Sequence, residues 1–262
     1  MASRVWNLFE YEVRTGAMNM ALDEKIASAM QDAVDASPVL RLYGWSPWAI
    51  SLGHHQRESD INLERCREDG IDVVRRPTGG RAILHAEELT YSVIMPAGRR
   101  SVLDVYNDIS RALVKGLSLF GAGVSLQKSQ PDFRAEYRKT ASIPCFASSA
   151  RYEIEWEGKK LVGSAQRRFS GGERDIVLQH GSILCGPAHL QLPGYLRVDD
   201  PAAGAEVARI LRDHTTDLST LLNRKIDVRA LAACIRAGFE AEWDVSFQSD
   251  TSLINDLRPA HV

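Results

Sequence analysis

Apolar residues Met18, Ala21, Leu22, Ile26, Ala29 and Met30 recur at helical spacing behind a Thr15-Gly16 start, which predicts an amphipathic helix over Ala17–Met30. A second stripe, Val105, Ile109, Leu113, Leu117 and Phe120, predicts another over Val105–Phe120. Between them lie short β-type runs at Val39–Tyr43, Ala49–Leu52, Asp72–Arg75, Arg81–Leu84 and Leu89–Met95, with a short helix over 60–69. The turn Gly44-Trp45-Ser46-Pro47-Trp48 joins the first two runs. Farther on, Arg151–Trp156 and Lys160–Ala165 read as a hairpin across Glu157-Gly158, and Ile176–Cys185 as a strand with Gly181 inside it. The chain then turns helical, most clearly over Ala203–Leu211 and Val228–Trp243. Strands in the middle and helices at both ends predict an α+β fold, with mixed or antiparallel sheets flanked by helices rather than regular βαβ alternation.

The 262 residues, 44% hydrophobic and 25% charged, suffice for one large buried core. They divide into a catalytic domain over 1–200 and a C-terminal helical segment over 201–262 packed on it. A net charge of -2 argues against nucleic acid or an anionic membrane as partner, leaving only local basic patches at arginine pairs 75–76, 99–100 and 167–168. The N-terminal stretch MASRVWNLFEYEVRTG carries charge early and has no long apolar core, so the reading is of a cytoplasmic protein with neither signal peptide nor membrane span. Cys66, Cys145, Cys185 and Cys234 form no CxxC pair, and the histidines show no ligand-like spacing. No metal or disulfide framework is expected.

Chemistry concentrates in the run Arg75–Leu89. Gly79 and Gly80 let backbone N–H groups approach a ligand with no Cβ in the way, and Arg75, Arg76 and Arg81 are suited to bind anionic or carbonyl oxygens. A Gly-Gly pair flanked by charge is, taken alone, equally an ordinary hairpin turn with solvated arginines. P-loop, dinucleotide-fingerprint, zincin and hydrolase-elbow motifs are absent. A polar, Ser- and Pro-containing stretch over Gln127–Pro144 ends at Cys145, a position that can present a thiol to a cleft, whereas Cys66, Cys185 and Cys234 sit in or beside apolar periodic segments. Lys159 and Lys160 fall on opposite faces of their strand, so only one can face a site. His85 and His180 are candidates for either a site or a satisfied core position.

The run Arg75–Glu88 resembles the signature of the lipoate-protein ligase and octanoyltransferase superfamily, which is related in fold to biotin protein ligases. Three more stretches match in order: Asn19-Met20-Ala21-Leu22-Asp23-Glu24, Lys160-Leu161-Val162-Gly163-Ser164-Ala165-Gln166 and Gln179-His180-Gly181-Ser182-Ile183-Leu184. Together the four span about residues 5–185. ATP-dependent members typically carry a third glycine where this chain has Arg81. That difference, with Cys145 in Ile143-Pro144-Cys145-Phe146 ahead of Lys160, resembles the LipM-type octanoyltransferases.

The resemblance implies that octanoate passes from acyl carrier protein to Cys145 and then to a lysine of a lipoyl-domain protein such as glycine-cleavage H protein, with no cofactor. Cys145 is then the nucleophile and Lys160 its partner, while Arg76, Thr78, Gly79, Gly80, Arg81, His85, Gly163, Ser164, Ala165, His180 and Gly181 bind substrate. Arg99, Arg100, Arg134, Arg138 and Lys139 are candidate contacts for the acidic carrier. One departure stands out: Ala86 occupies a position that is usually acidic in relatives, and Glu87 and Glu88 follow it. The chemistry is self-consistent, because acyl transfer from thioester to amine runs downhill without a nucleotide and a thiolate both attacks and leaves well. A nearby ammonium favours that thiolate. The rival readings are an ATP-dependent ligase, an amidotransferase between lipoyl proteins, and a non-catalytic acyl or lipoyl-domain binder.

Overall fold

The β-type runs assemble into two sheets in a computed structural model that describes residues 4–33, 36–126, 153–172, 174–198 and 200–249. The large sheet contains β1 (Arg4–Arg14), β2 (Val39–Trp45), β6 (Glu88–Pro96), β7 (Ser125–Leu126), β8 (Ile154–Trp156), β9 (Lys159–Phe169), β10 (Ile176–Leu184) and β11 (Val245–Ser249). Its order is β11-β1-β2-β6-β10-β9-β8-β7. β1 pairs in parallel with both β11 and β2, and the remaining neighbours are antiparallel. The small sheet holds β3 (Ala49–Leu52), β4 (Asp72–Arg75) and β5 (Ile83–His85) in the order β4-β3-β5. This is the mixed-sheet α+β architecture the sequence pattern predicts.

Strand periodicity sorts the central strands into two faces. Leu40 and Leu42 of β2, Leu89, Tyr91 and Val93 of β6, and Val177 and Ile183 of β10 point into one core. There they meet Val105, Ile109, Leu113 and Leu117 of α3 (Val102–Leu119) and Leu231, Ile235 and Phe239 of the last long helix, α6 (Val228–Trp243). The alternate positions face α1 (Gly16–Asp32), whose Ile26, Ala27 and Met30 cover Val39, Ile94, Ile176 and Leu178. Toward the small sheet this second face changes character. Arg41, Glu88, Thr90, Ser92, His180 and Ser182 are all buried there. Polar groups enclosed on a sheet covered on both sides are costly unless each is paired, so they mark a built site rather than a solvated surface.

Helices end where their caps dictate. Thr15 accepts the Met18 N–H at the start of α1, and Ser101 with Asp104 forms a capping box on α3. α2 (Leu63–Glu68) occupies part of the predicted 60–69 segment; α4 (Pro201–His214), α5 (Leu218–Leu222) and α6 follow β10. Three strands have no counterpart in the sequence pattern: β1, β11 and β7, the last only two residues long. β1 does not alternate cleanly, because its register against β2 shifts between Phe9 and Glu12, and β11 is only five residues long. The glycine run is also not a hairpin, since β4 and β5 pair with opposite edges of β3 and never with each other.

Candidate active site

A narrow cleft opens between the polar end of the large sheet and the small sheet, lined by Met20, Tyr43, Trp45, Ser51, Arg76, Ile83, His85, Thr90, Lys160, Gly163, Ser164, Ala165, His180, Gly181 and Ser182. Lys160, Gly163, Ser164, Ala165, His85, His180, Gly181 and Arg76, all singled out from the sequence, thus converge from three strands and a loop. β9 and β10 approach closely here because Gly181 has no side chain: a Cβ would lie 2.4 Å from the Gly163 carbonyl oxygen. Met20, Tyr43, Trp45, Ser51, Ile83, Thr90 and Ser182 complete the wall and were not predicted. They come from distant elements and only the register brings them together.

The two histidines are held by carboxylates. His180 Nδ1 donates to Asp23 Oδ2 at 3.0 Å, which leaves Nε2 to accept the Thr78 hydroxyl at 2.7 Å. Burial pushes the His180 imidazole below its usual value despite the opposing pull of Asp23, so the ring is neutral near pH 7. Burial alone would raise Asp23, but the Arg41 guanidinium, with hydrogen bonds from His180 and Ser92, holds it below the usual carboxylate value. Asp23, quoted in the first-helix motif without a role, is therefore the anchor of the cluster.

His85 repeats the arrangement. Its Nδ1 donates to Glu88 Oε1 at 2.8 Å, its Nε2 accepts the Ser51 hydroxyl at 2.7 Å, and the ring stacks on Trp45 at 3.9 Å. The Ala86 departure finds its explanation here. Ala86 packs in the apolar core beside the small sheet, and the carboxylate that orients His85 comes from Glu88, with Ser182 also donating to it at 2.9 Å.

The glycine turn stands behind the cleft wall rather than in it. Thr78 is fully buried and reaches the cleft through His180. Arg76 donates to the carbonyls of Ser51 at 2.8 Å, Gly79 at 2.9 Å and Arg81 at 2.7 Å. Arg75 donates to the carbonyls of Gly53 at 3.1 Å and Gln56 at 2.6 Å. The carbonyl oxygens these two arginines bind thus include those of their own chain, and they brace the turn. Gly80 sits at a φ of 97°, and a Cβ on Gly53 would lie 1.9 Å from its carbonyl oxygen. Gly79 and Gly80 are exposed and Arg81 is half-buried.

Lys160 is, with Arg76, one of two cationic residues in the lining. Its side chain is 8% exposed, and Nζ donates at 2.6 Å to Oε1 of Glu153, itself 2% exposed. Lys159 turns the other way, toward the Arg212 carbonyl at 3.4 Å. Glu153 lacked any sequence signal beyond its sign. Cys145, Arg134, Arg138 and Lys139 lie outside the described residues. The other three cysteines stay away from the cleft lining. Burial, with Glu88 nearby, pushes the Cys185 thiol up to about 12, and burial raises Cys66 as well. Among the described residues no group of three or more His, Cys, Asp and Glu side chains is placed to hold a metal ion, and no helix is long and apolar enough to cross a membrane.

This architecture and these motifs have counterparts. The chain superposes with a TM-score of 0.75 on a bipartite lipoate protein ligase from Thermoplasma acidophilum, 20% identical, over 98% of this chain and 92% of that one. It is 35% identical over 241 residues to an octanoyltransferase LipM from Kyrpidia tusciae, covering 90% of this chain and 86% of the relative. It is likewise 35% identical over 247 residues to one from Clostridioides difficile, covering 92% and 88%. The lipoyl protein ligase A/B catalytic domain matches residues 15–240. The chain belongs to that catalytic-domain family and, within it, to the LipM octanoyltransferases, which are acyltransferases.

Proposed function

We propose that this octanoyltransferase works through a Cys145 thioester, taking octanoate from acyl carrier protein and passing it to a lipoyl-domain lysine, such as that of glycine-cleavage H protein. The observation that carries the reading is the buried Lys160 in the lining of a cleft that Met20, Tyr43, Trp45 and Ile83 also line. An acyl chain fits the apolar wall, and a cation is needed where a tetrahedral oxyanion and a thiolate form. Attack of the Cys145 thiolate on the donor thioester expels the carrier thiolate; attack of the acceptor amine then expels Cys145 and leaves an amide. Nucleophilic roles for Cys66 and Cys185 are disfavoured by the raised thiols described above, since the thiolate is the reactive form. Arg99 and Arg100, between β6 and α3, remain candidate carrier contacts.

Intact mass after incubation with octanoyl-acyl carrier protein and no ATP tests this. An octanoyl adduct is expected on the wild type and absent from Cys145→Ala. Activity on free octanoate that requires ATP and survives Cys145→Ala would overturn the reading in favour of a ligase.

A further inference from the structure

Lys160 is enclosed, and its backbone carbonyl accepts the Thr216 N–H at 3.0 Å. A lysine side chain has four rotatable bonds and, near a cleft, tends to swing its ammonium toward water. Opposite it across the β8–β9 pair stands Glu155, and Glu153 lies two residues before that. Of the two carboxylates, Glu155 is half-buried, raised above its usual value by burial first and by Glu153 second. Glu153 is the one that takes the ammonium, at 2.6 Å and almost wholly out of solvent. Such a pair adds little net stability, because desolvating both charges offsets their attraction, but removal of one partner leaves the other uncompensated. Retaining it at a cleft wall points to function.

We propose that Glu153 is the positioning residue for Lys160, holding the ammonium at the place where charge develops during acyl transfer. The proposal rests on the role given to Lys160 above. It assigns no contact between Glu153 and substrate; Glu153 does not line the cleft and acts through Lys160.

The test is octanoyl transfer from octanoyl-acyl carrier protein to a lipoyl domain, measured for Glu153→Gln, Glu153→Asp, Lys160→Ala and the Glu153→Gln/Lys160→Ala double variant. Glutamine keeps size and a hydrogen-bond acceptor but not the charge, so kcat is expected to fall by at least roughly tenfold while KM for the donor stays within about twofold. The double variant should be no slower than Lys160→Ala alone, the signature of two residues acting as one unit. Aspartate, which keeps the charge, should recover part of the lost kcat. A Glu153→Gln enzyme with wild-type kcat beside an inactive Lys160→Ala would overturn the proposal, as would losses that multiply in the double variant. Wild-type kcat in Lys160→Ala would instead strike at the role of Lys160 itself and take the proposal with it. If Glu153→Gln fails to fold, Glu153→Asp and its double variant with Lys160→Ala carry the test: a shorter carboxylate on its own should lower kcat but add no loss to Lys160→Ala, and a multiplying loss would overturn the proposal.

Discussion

His180 is neutral and enclosed between Asp23 and Thr78, and that enclosure has a consequence in acid. Burial holds its folded pKa below the ordinary imidazole value, and lowers His189 in the same direction. Below about pH 6.5 the unfolded chain therefore binds protons that the native chain refuses, so stability is full above that pH and falls as pH drops toward the folded values. Asp23, held below its ordinary value, extends the loss at lower pH. Urea denaturation should show the midpoint falling between about pH 7.5 and 5.5, and His180→Gln should flatten part of that slope. A pH-independent midpoint would contradict the neutral, buried histidine. At this scale the sequence offered residue types and motif membership. It did not offer partners, because Asp23, Glu88 and Glu153 look like any surface acid until tertiary packing removes their solvent.

At the scale of elements, α3 and α6 were both legible from their 3.6-residue stripes, and α6 spans the predicted Val228–Trp243. Their mutual approach was not legible. The two helices cross at Gly116 and Gly238, where a Cβ on Gly238 would lie 2.4 Å from the Ala112 carbonyl oxygen and 2.4 Å from the Gly116 nitrogen. Neither glycine has a positive φ, so the requirement is space rather than backbone conformation. Gly238→Ala should destabilise the protein by about 1–3 kcal/mol, the usual result of overpacking a tight interface, measured as a lower urea midpoint. An unchanged midpoint would mean that the helices separate without cost. The glycine turn teaches a similar lesson for loops. Its two glycines and three arginines were conspicuous, yet β3 inserts between β4 and β5, and Arg75 and Arg76 brace the loop through backbone carbonyls.

Across the whole molecule, the C-terminal region is woven into the same framework as the site. β11 pairs with β1 in register from Arg4 with Val245 to Leu8 with Ser249, α6 supplies Leu231, Ile235 and Phe239 to the largest core, and Thr216 holds the Lys160 carbonyl. A fragment ending at residue 200 exposes the α3 stripe and the β1 edge. It should therefore lack a cooperative thermal transition and show no octanoyl transfer, as read by circular dichroism and the acyl-transfer assay. A folded, active fragment would make the last sixty or so residues an appendage.

By itself the sequence determined the α+β class, most of the central strands, the two long amphipathic helices flanking them and the four ordered motifs, because these depend on local periodicity and on residue identity at short spacing. Only tertiary structure decided which polar residues lose their solvent. Strand register across β2, β6, β10 and β9 places Tyr43, Thr90, Ser182 and Gly163 around one cleft, and a one-residue slip would turn each to the opposite face. Register is a long-range property, set by cores built from residues far apart in the chain. The carboxylate chosen by each histidine, and by Lys160, follows from it.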